Sequence, residues 1–218
     1  MWQDTELGLT SSLLSAEEWR MNLMNQEIEH SFRDAFWTIL IQEHRGSEMS
    51  LAQWARASEV DLHSLKMLID EVRGISCTYA IRLCCGLQLN FARVVREAIQ
   101  LKFKTPTGKR CAWRPYLQED RSAFDATSPQ EAGNIAASLC AAFAQRITDS
   151  RRSFSELARE SGVGHTVISR LGQAGRQNPS LQSLFDLSCA LGCQLDVLAR
   201  EVSYTLKTTH KKKEAAHA

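Results

Sequence analysis

Five cations and no acid occupy residues 102–118 (KFKTPTGKRCAWRPYLQ): Lys102, Lys104, Lys109, Arg110 and Arg114, with Trp113 and Tyr116 between them. Uncompensated ammonium and guanidinium groups attract phosphate, and such a stretch can follow a nucleic-acid backbone or enter a minor groove. The tail from Ser203 adds four lysines against one acid, whereas residues 1–30 hold six acids and one arginine. A formal net charge of +1 therefore hides an acidic start, a basic middle and a basic end. Charge alone fits solvated loops equally well. Catalytic chemistry is not expected: the sequence has no phosphate loop, no nucleophile elbow and no paired metal-ligand motif. Its six histidines (30, 44, 63, 165, 210 and 217) are scattered. No catalytic residue, metal or cofactor is expected. None of the seven cysteines forms a Cys-x-x-Cys pair. Cys84, Cys85, Cys189 and Cys193 lie in apolar helical patterns, where free cysteine acts as a small core hydrophobe.

The elements that must position any such contacts come from an ordinary globular composition, with 44% apolar and 23% charged residues in 218. No apolar run approaches the roughly 20 residues of a membrane span. Residues 1–15 contain Asp4 and Glu6 but no Lys or Arg, unlike a signal peptide. A soluble cytoplasmic protein with no membrane partner is the expectation.

An internal repeat organises the chain. Leu51–Val60 (LAQWARASEV) aligns with Phe154–Val163 (FSELARESGV) at an offset of 103, repeating Ala55, Arg56, Ser58 and Val60 as Ala158, Arg159, Ser161 and Val163. Leu83–Ala98 aligns with Leu187–Val202 at an offset of 104, repeating Leu83, Cys85, Leu87, Arg96 and Glu97 as Leu187, Cys189, Leu191, Arg200 and Glu201. One inserted residue in the second copy, placed near Gly172–Ala174, accounts for the shift.

Both copies read as helical, with apolar residues at i, i+3, i+4 and i+7 and no sustained alternation. Ser128-Pro129-Gln130-Glu131 opens a helix to about Asp149, and Ser153-x-x-Glu156 caps a short one, as does Ser50-x-x-Gln53 in the first copy. Gly162 ends the short helix in a left-handed turn. A third helix is expected over about His165 to Gln173, a fourth from Ser180 (Ser76 in the first copy), and a fifth over about Gln194 to Tyr204. The core of the first copy is assigned to Phe36, Trp37, Leu40, Trp54, Leu65 and Leu68. That of the second is assigned to Leu139, Phe143, Leu157, Ile168, Leu171, Leu184, Leu187, Leu191 and Leu195.

The second copy resembles the Cro/CI-type (XRE-type) helix-turn-helix domain of phage repressors and bacterial regulators. The matching residues are Ser153, Glu156, Leu157, Ala158, Gly162, Val163, Ile168, Ser169, Arg170 and Leu171. They continue with Gly175, Arg176, Asn178, Pro179, Ser180, Leu181, Leu191 and Gly192, covering nearly all of 134–202. The first copy is a degenerate relative, with Glu59 for the turn glycine and Ile75-Ser76 for the Asn-Pro-Ser signature. The resemblance implies an all-α chain of two tandem five-helix lambda-repressor-like helix-turn-helix domains. Its divisions are an acidic N-terminal helical arm (1–30), the degenerate domain (31–101), a basic linker (102–131), the Cro/CI-type domain (132–204) and a basic, disordered tail (205–218).

In that family the third helix enters the major groove. Carried over by position, His165, Thr166, Ser169 and Arg170 would touch bases, with Arg170 suited to guanine O6 and N7. Arg151, Arg152 and Ser153 before the second helix, and Gln173, Arg176, Gln177 and Asn178 after the third, would touch phosphates. The first copy offers His63, Ser64, Lys66 and Met67 to bases and Ser50 and Arg73 to the backbone, with Asp61 as the helix cap. Asp70 and Glu71 would repel phosphate, and a packing or dimerisation role is the alternative for this copy.

The implied function is sequence-specific binding of double-stranded DNA by a transcriptional regulator that acts through operator occupancy, on one chain as a pseudo-dimer or on a homodimer. An accessory protein at a plasmid or mobile-element origin, for transfer, partition or replication, fits the same features. An antitoxin or protein-interaction module is the alternative of another class. The arm, with Ser15-x-x-Glu18 followed by Trp19, Leu23, Met24 and Ile28, would pack on the first copy or meet a protein partner or second subunit. Neutralising Lys109, Arg110 and Arg114 together is expected to weaken binding to every duplex. The salt dependence would become shallower by up to about one unit for each phosphate no longer neutralised. A weakening confined to one sequence, in salt titrations on several duplexes, would mean that the linker reads bases.

Overall fold

The computed structural model describes residues 31–71, 74–102, 128–174 and 178–202, and these are all-α. The acidic arm, the tail, the linker with Lys109, Arg110 and Arg114, and also Arg73, Arg176 and Gln177, lie outside the described residues. The first repeat forms α1 (Phe32–Gly46), α2 (Leu51–Ala57), α3 (Leu62–Glu71), α4 (Cys77–Gly86) and α5 (Phe91–Lys102). After a single 3-10 turn at Pro129–Glu131, the second forms α6 (Ala132–Asp149), α7 (Phe154–Ser161), α8 (His165–Ala174), α9 (Leu181–Ala190) and α10 (195–202). No described helix is long and apolar enough to cross a membrane.

Short polar side chains set these starts, because the first amides of a helix have no intrahelical acceptor. Ser50 and Ser153 each accept from the amide three residues on, at 3.2 Å. In return, Gln53 and Glu156 accept from the Ser50 and Ser153 amides at 2.8 Å. Ser31, Asp61, Ser76 and Ser180 likewise cap α1, α3, α4 and α9.

The two repeats share one backbone more closely than they share a sequence. Six described residues have positive φ, and they fall at three equivalent pairs of positions: Glu48 (56°) with Arg151 (54°), Glu59 (52°) with Gly162 (70°), and Gln88 (57°) with Gly192 (65°). A residue with a Cβ pays roughly 1–2 kcal/mol to sit there, so the fold imposes these turns on the first repeat against local preference. Glycine is used at only two of the six. The helices α3 and α8 are both ten residues long at an offset of 103, and α4 and α9 are both ten at 104. The extra residue therefore falls between Ala174 and Leu181, after the third helix, rather than near Gly172–Ala174.

The repeats are also packed into each other. The fourth helix of each lies on the first helix of the other, α4 on α6 and α9 on α1, and the buried residues of both belong to one apolar cluster. At the centre, Ser76 and Ser180 face each other across an antiparallel bridge. The Cys77 amide donates to the Pro179 carbonyl at 2.9 Å and the Leu181 amide to the Ile75 carbonyl at 2.8 Å. This reciprocity defines an approximate twofold axis between the serines. The Asn178 side chain crosses it as well, accepting from the Thr78 amide and donating to Ser76 Oγ, both at 3.0 Å. Farther out, the Phe32 and Phe185 rings stack at 4.3 Å, Lys102 Nζ lies 5.4 Å from the Phe185 ring centre, and Arg96 pairs with the nearly buried Asp196 at 3.2 Å.

Most of the assigned core is buried, including Trp54, whose indole N–H donates to the Leu83 carbonyl at 3.1 Å. Leu68 and Leu191 are half-buried at its edge. Cys84 is core, and burial pushes its thiol far up. Cys85 and Cys193 are half-buried and Cys189 is exposed. Cys189 is therefore not core: the inward stripe of α9 runs through Leu184, Leu187 and Ser188, leaving the next residue outside.

Where α4 passes the end of α2, the chain admits no side chain. A Cβ on Gly86 would lie 2.0 Å from Ser58 Oγ and 2.9 Å from the Ser58 amide nitrogen. Gly86→Ala is expected to destabilise the fold by about 1–3 kcal/mol, seen as a lowered thermal midpoint. An unchanged midpoint would mean that the two helices separate freely there.

Candidate nucleic-acid interface

The second repeat presents a polar face through α7, the turn after it and α8. Leu157 anchors α7 in the core. Gly162 then reverses the chain with its amide bonded to the Ala158 carbonyl at 3.0 Å, and Val163 returns to the interior. Ser161 locks this corner: its hydroxyl donates to the Leu157 carbonyl at 2.6 Å and accepts from the Val163 amide at 3.1 Å.

On α8, Ile168 and Leu171 point inward, and α8 packs against α6 and α7. Helical periodicity places residues 165, 166, 169, 170 and 173 on the opposite side. His165, Thr166, Arg170 and Gln173 are exposed there and Ser169 is half-buried, so the four assigned base-contacting residues share one face. No described residue pairs with the Arg170 guanidinium. Gln173 Nε2 donates to Ser169 Oγ at 3.2 Å.

Two residues that the sequence did not single out position this face. The Phe154 ring meets His165 edge-on, with centroids 6.1 Å apart at 70°. The same ring lies over Gly172, where a Cβ would come within 3.1 Å of Phe154 Cζ. The first repeat has Leu51 and Ile69 at these places, a smaller residue on one side and a larger one on the other. A glycine inside an otherwise regular helix was the available signal.

The flanking groups divide by partner. Arg151 is exposed in the left-handed turn just before α7. The Arg152 guanidinium pairs with Glu160 and donates to the Ala190 carbonyl at 2.7 Å, and the Asn178 amide is spent on the junction. Both are thereby structural ties rather than free donors. Ser153 caps α7, but the Glu156 carboxylate closes over the cap at 2.8 Å from both Ser153 N and Oγ. These bonds, with Arg159 and Arg152 nearby, hold the Glu156 carboxyl below its ordinary range. An anion at this helix start would meet a fixed negative charge. At Ser50 the corresponding group is the neutral Gln53.

In the first repeat, His63 and Lys66 are exposed and Ser64 and Met67 half-buried. The shared register sets His63 opposite Thr166, Lys66 opposite Ser169 and Met67 opposite Arg170. Ser64 stands opposite the half-buried Val167, and the residue opposite His165 is Leu62. Asp61 caps α3, accepting from the Ser64 amide at 2.8 Å, and that bond first of all holds its carboxyl below the ordinary range.

No protein-family model matches the chain, and no curated protein or solved structure does either.

The double substitution His165→Ala with Arg170→Ala removes two exposed side chains and no described hydrogen bond. It is expected to abolish discrimination between duplexes, at about 1–3 kcal/mol per bidentate base pairing removed, while circular dichroism stays unchanged. Retained site preference would contradict the assignment of this face.

Proposed function

We propose that the chain binds double-stranded DNA sequence-specifically and regulates transcription by occupying an operator. In this reading α7 and α8 form a helix-turn-helix whose second helix enters the major groove, and α2 and α3 form its degenerate counterpart. The observation that carries it is the face of α8: a polar, hydrogen-bonding row from His165 to Gln173, with the cation Arg170 in it, on a helix whose other side is buried in the core. A groove-reading helix requires that combination, since base discrimination needs side chains held in fixed positions. Arg170 would donate to guanine O6 and N7, Thr166 would offer a methyl to thymine, and His165 would bond a base edge. Arg151 would meet the flanking phosphate. No chemistry is performed; the protein acts by being bound.

Selection of sequences from a random duplex pool by the purified full-length chain tests this. An enriched motif is expected, whose retention requires Arg170. Recovery of the starting pool, with binding that merely fades as salt rises, would overturn it.

A further inference from the structure

The two repeats give one backbone two surfaces, and the balance of charge differs between them. Arg151 and Glu48 occupy the same left-handed turn before the second helix, at φ 54° and 56°, and both are exposed. One carries the charge that attracts phosphate and the other its opposite. Continuing along the face, Gly162 is matched by Glu59, Gly164 by Asp61, and Gln173 by Asp70, each acid being exposed. Arg170, at the centre, is matched by Met67. Along the second and third helices, three changes run the other way: Lys66 stands in place of Ser169, Gln53 in place of Glu156 and Ala57 in place of Glu160. Over the whole stretch, residues 148–174 hold four arginines and three acids, and residues 45–71 hold three cations and five acids.

A carboxylate at contact distance from a phosphate lies inside the ~8 Å screening length of physiological salt, so more than half of the repulsion survives. Glu48, Asp61 and Asp70, with Glu59 adding its charge although its carboxylate is bonded by Gln130 Nε2, oppose entry whatever the base sequence.

Resting on the DNA-binding function proposed above, we infer that the second repeat alone touches DNA. Glu48, Glu59, Asp61 and Asp70 keep the first repeat's corresponding face off the phosphates, so that one chain fills a single half-site. The first repeat keeps the geometry of a partner, fixed by the Ser76–Ser180 junction, without its contacts. These acids are specificity determinants: they deny the chain a two-half-site operator that its approximate twofold symmetry would otherwise suit.

Hydroxyl-radical footprinting of the full-length protein on a duplex carrying its selected motif tests this. The wild-type chain is expected to protect one groove-centred window. The variant Glu48→Arg with Asp70→Gln installs the residues that the second repeat carries at these positions, and Arg151 shows that the turn accepts arginine. It is expected to extend protection by about one helical turn and to steepen the salt dependence of affinity by about one unit. Two wild-type windows a helical turn apart would overturn the inference and leave DNA binding standing. So would a variant of unchanged footprint and salt slope with an intact circular dichroism spectrum. Absence of any selected motif would overturn the underlying function, and this inference with it.

Discussion

Two backbone hydrogen bonds, from Cys77 to Pro179 and from Leu181 to Ile75, fix how the two halves of the molecule meet. Each contributes only about 0.5–1.5 kcal/mol net, so they are not the main source of stability. Their role is directional. The antiparallel bridge pairs Ser76 with Ser180, and that register brings Asn178 onto Ser76 and Thr78. Stability comes from what the register allows. The fourth helix of each repeat lies on the first helix of the other, and Phe32 stacks on Phe185 within a single apolar cluster.

A duplicated backbone held this way separates fold from chemistry. Positions that serve the fold keep their conformation even where their residue is poorly suited, as Glu48, Glu59 and Gln88 do in left-handed turns. Positions that face outward have diverged freely, from Arg151 to Glu48 and from Arg170 to Met67. Packing constrains the first group from several sides at once, whereas only a binding partner constrains the second. The exchange of Phe154 and Gly172 for Leu51 and Ile69 lies between these cases, because one change compensates the other in the same space.

Much of this was legible in the sequence. Serine caps and apolar spacing located the described helices, and the repeat offsets predicted equivalent elements in the two halves. The helix-turn-helix resemblance, rather than the charge along the chain, pointed to the polar face of α8. What could not be read was long-range. The pairing of Ser76 with Ser180, and the use of the Asn178 amide there, depend on segments about 100 residues apart that share no complementary pattern. The fate of Arg152 was hidden because Glu160 and Ala190 compete for it through geometry alone, whereas the closure of Glu156 over Ser153 follows from a capping motif legible in the sequence. Cys189 was misplaced because a period of 3.6 leaves the edge of an apolar stripe uncertain by one residue.

The central proposal is that α8 carries the contact with DNA and that α3, its structural twin, is kept from it. Amide hydrogen exchange on the full-length chain, with and without its selected duplex, compares the two helices in one sample. The predicted result is slowed exchange across His165–Ala174 and the turn at Arg151, with Leu62–Glu71 unchanged. Equal slowing of both helices, or slowing confined to Leu62–Glu71, would contradict it.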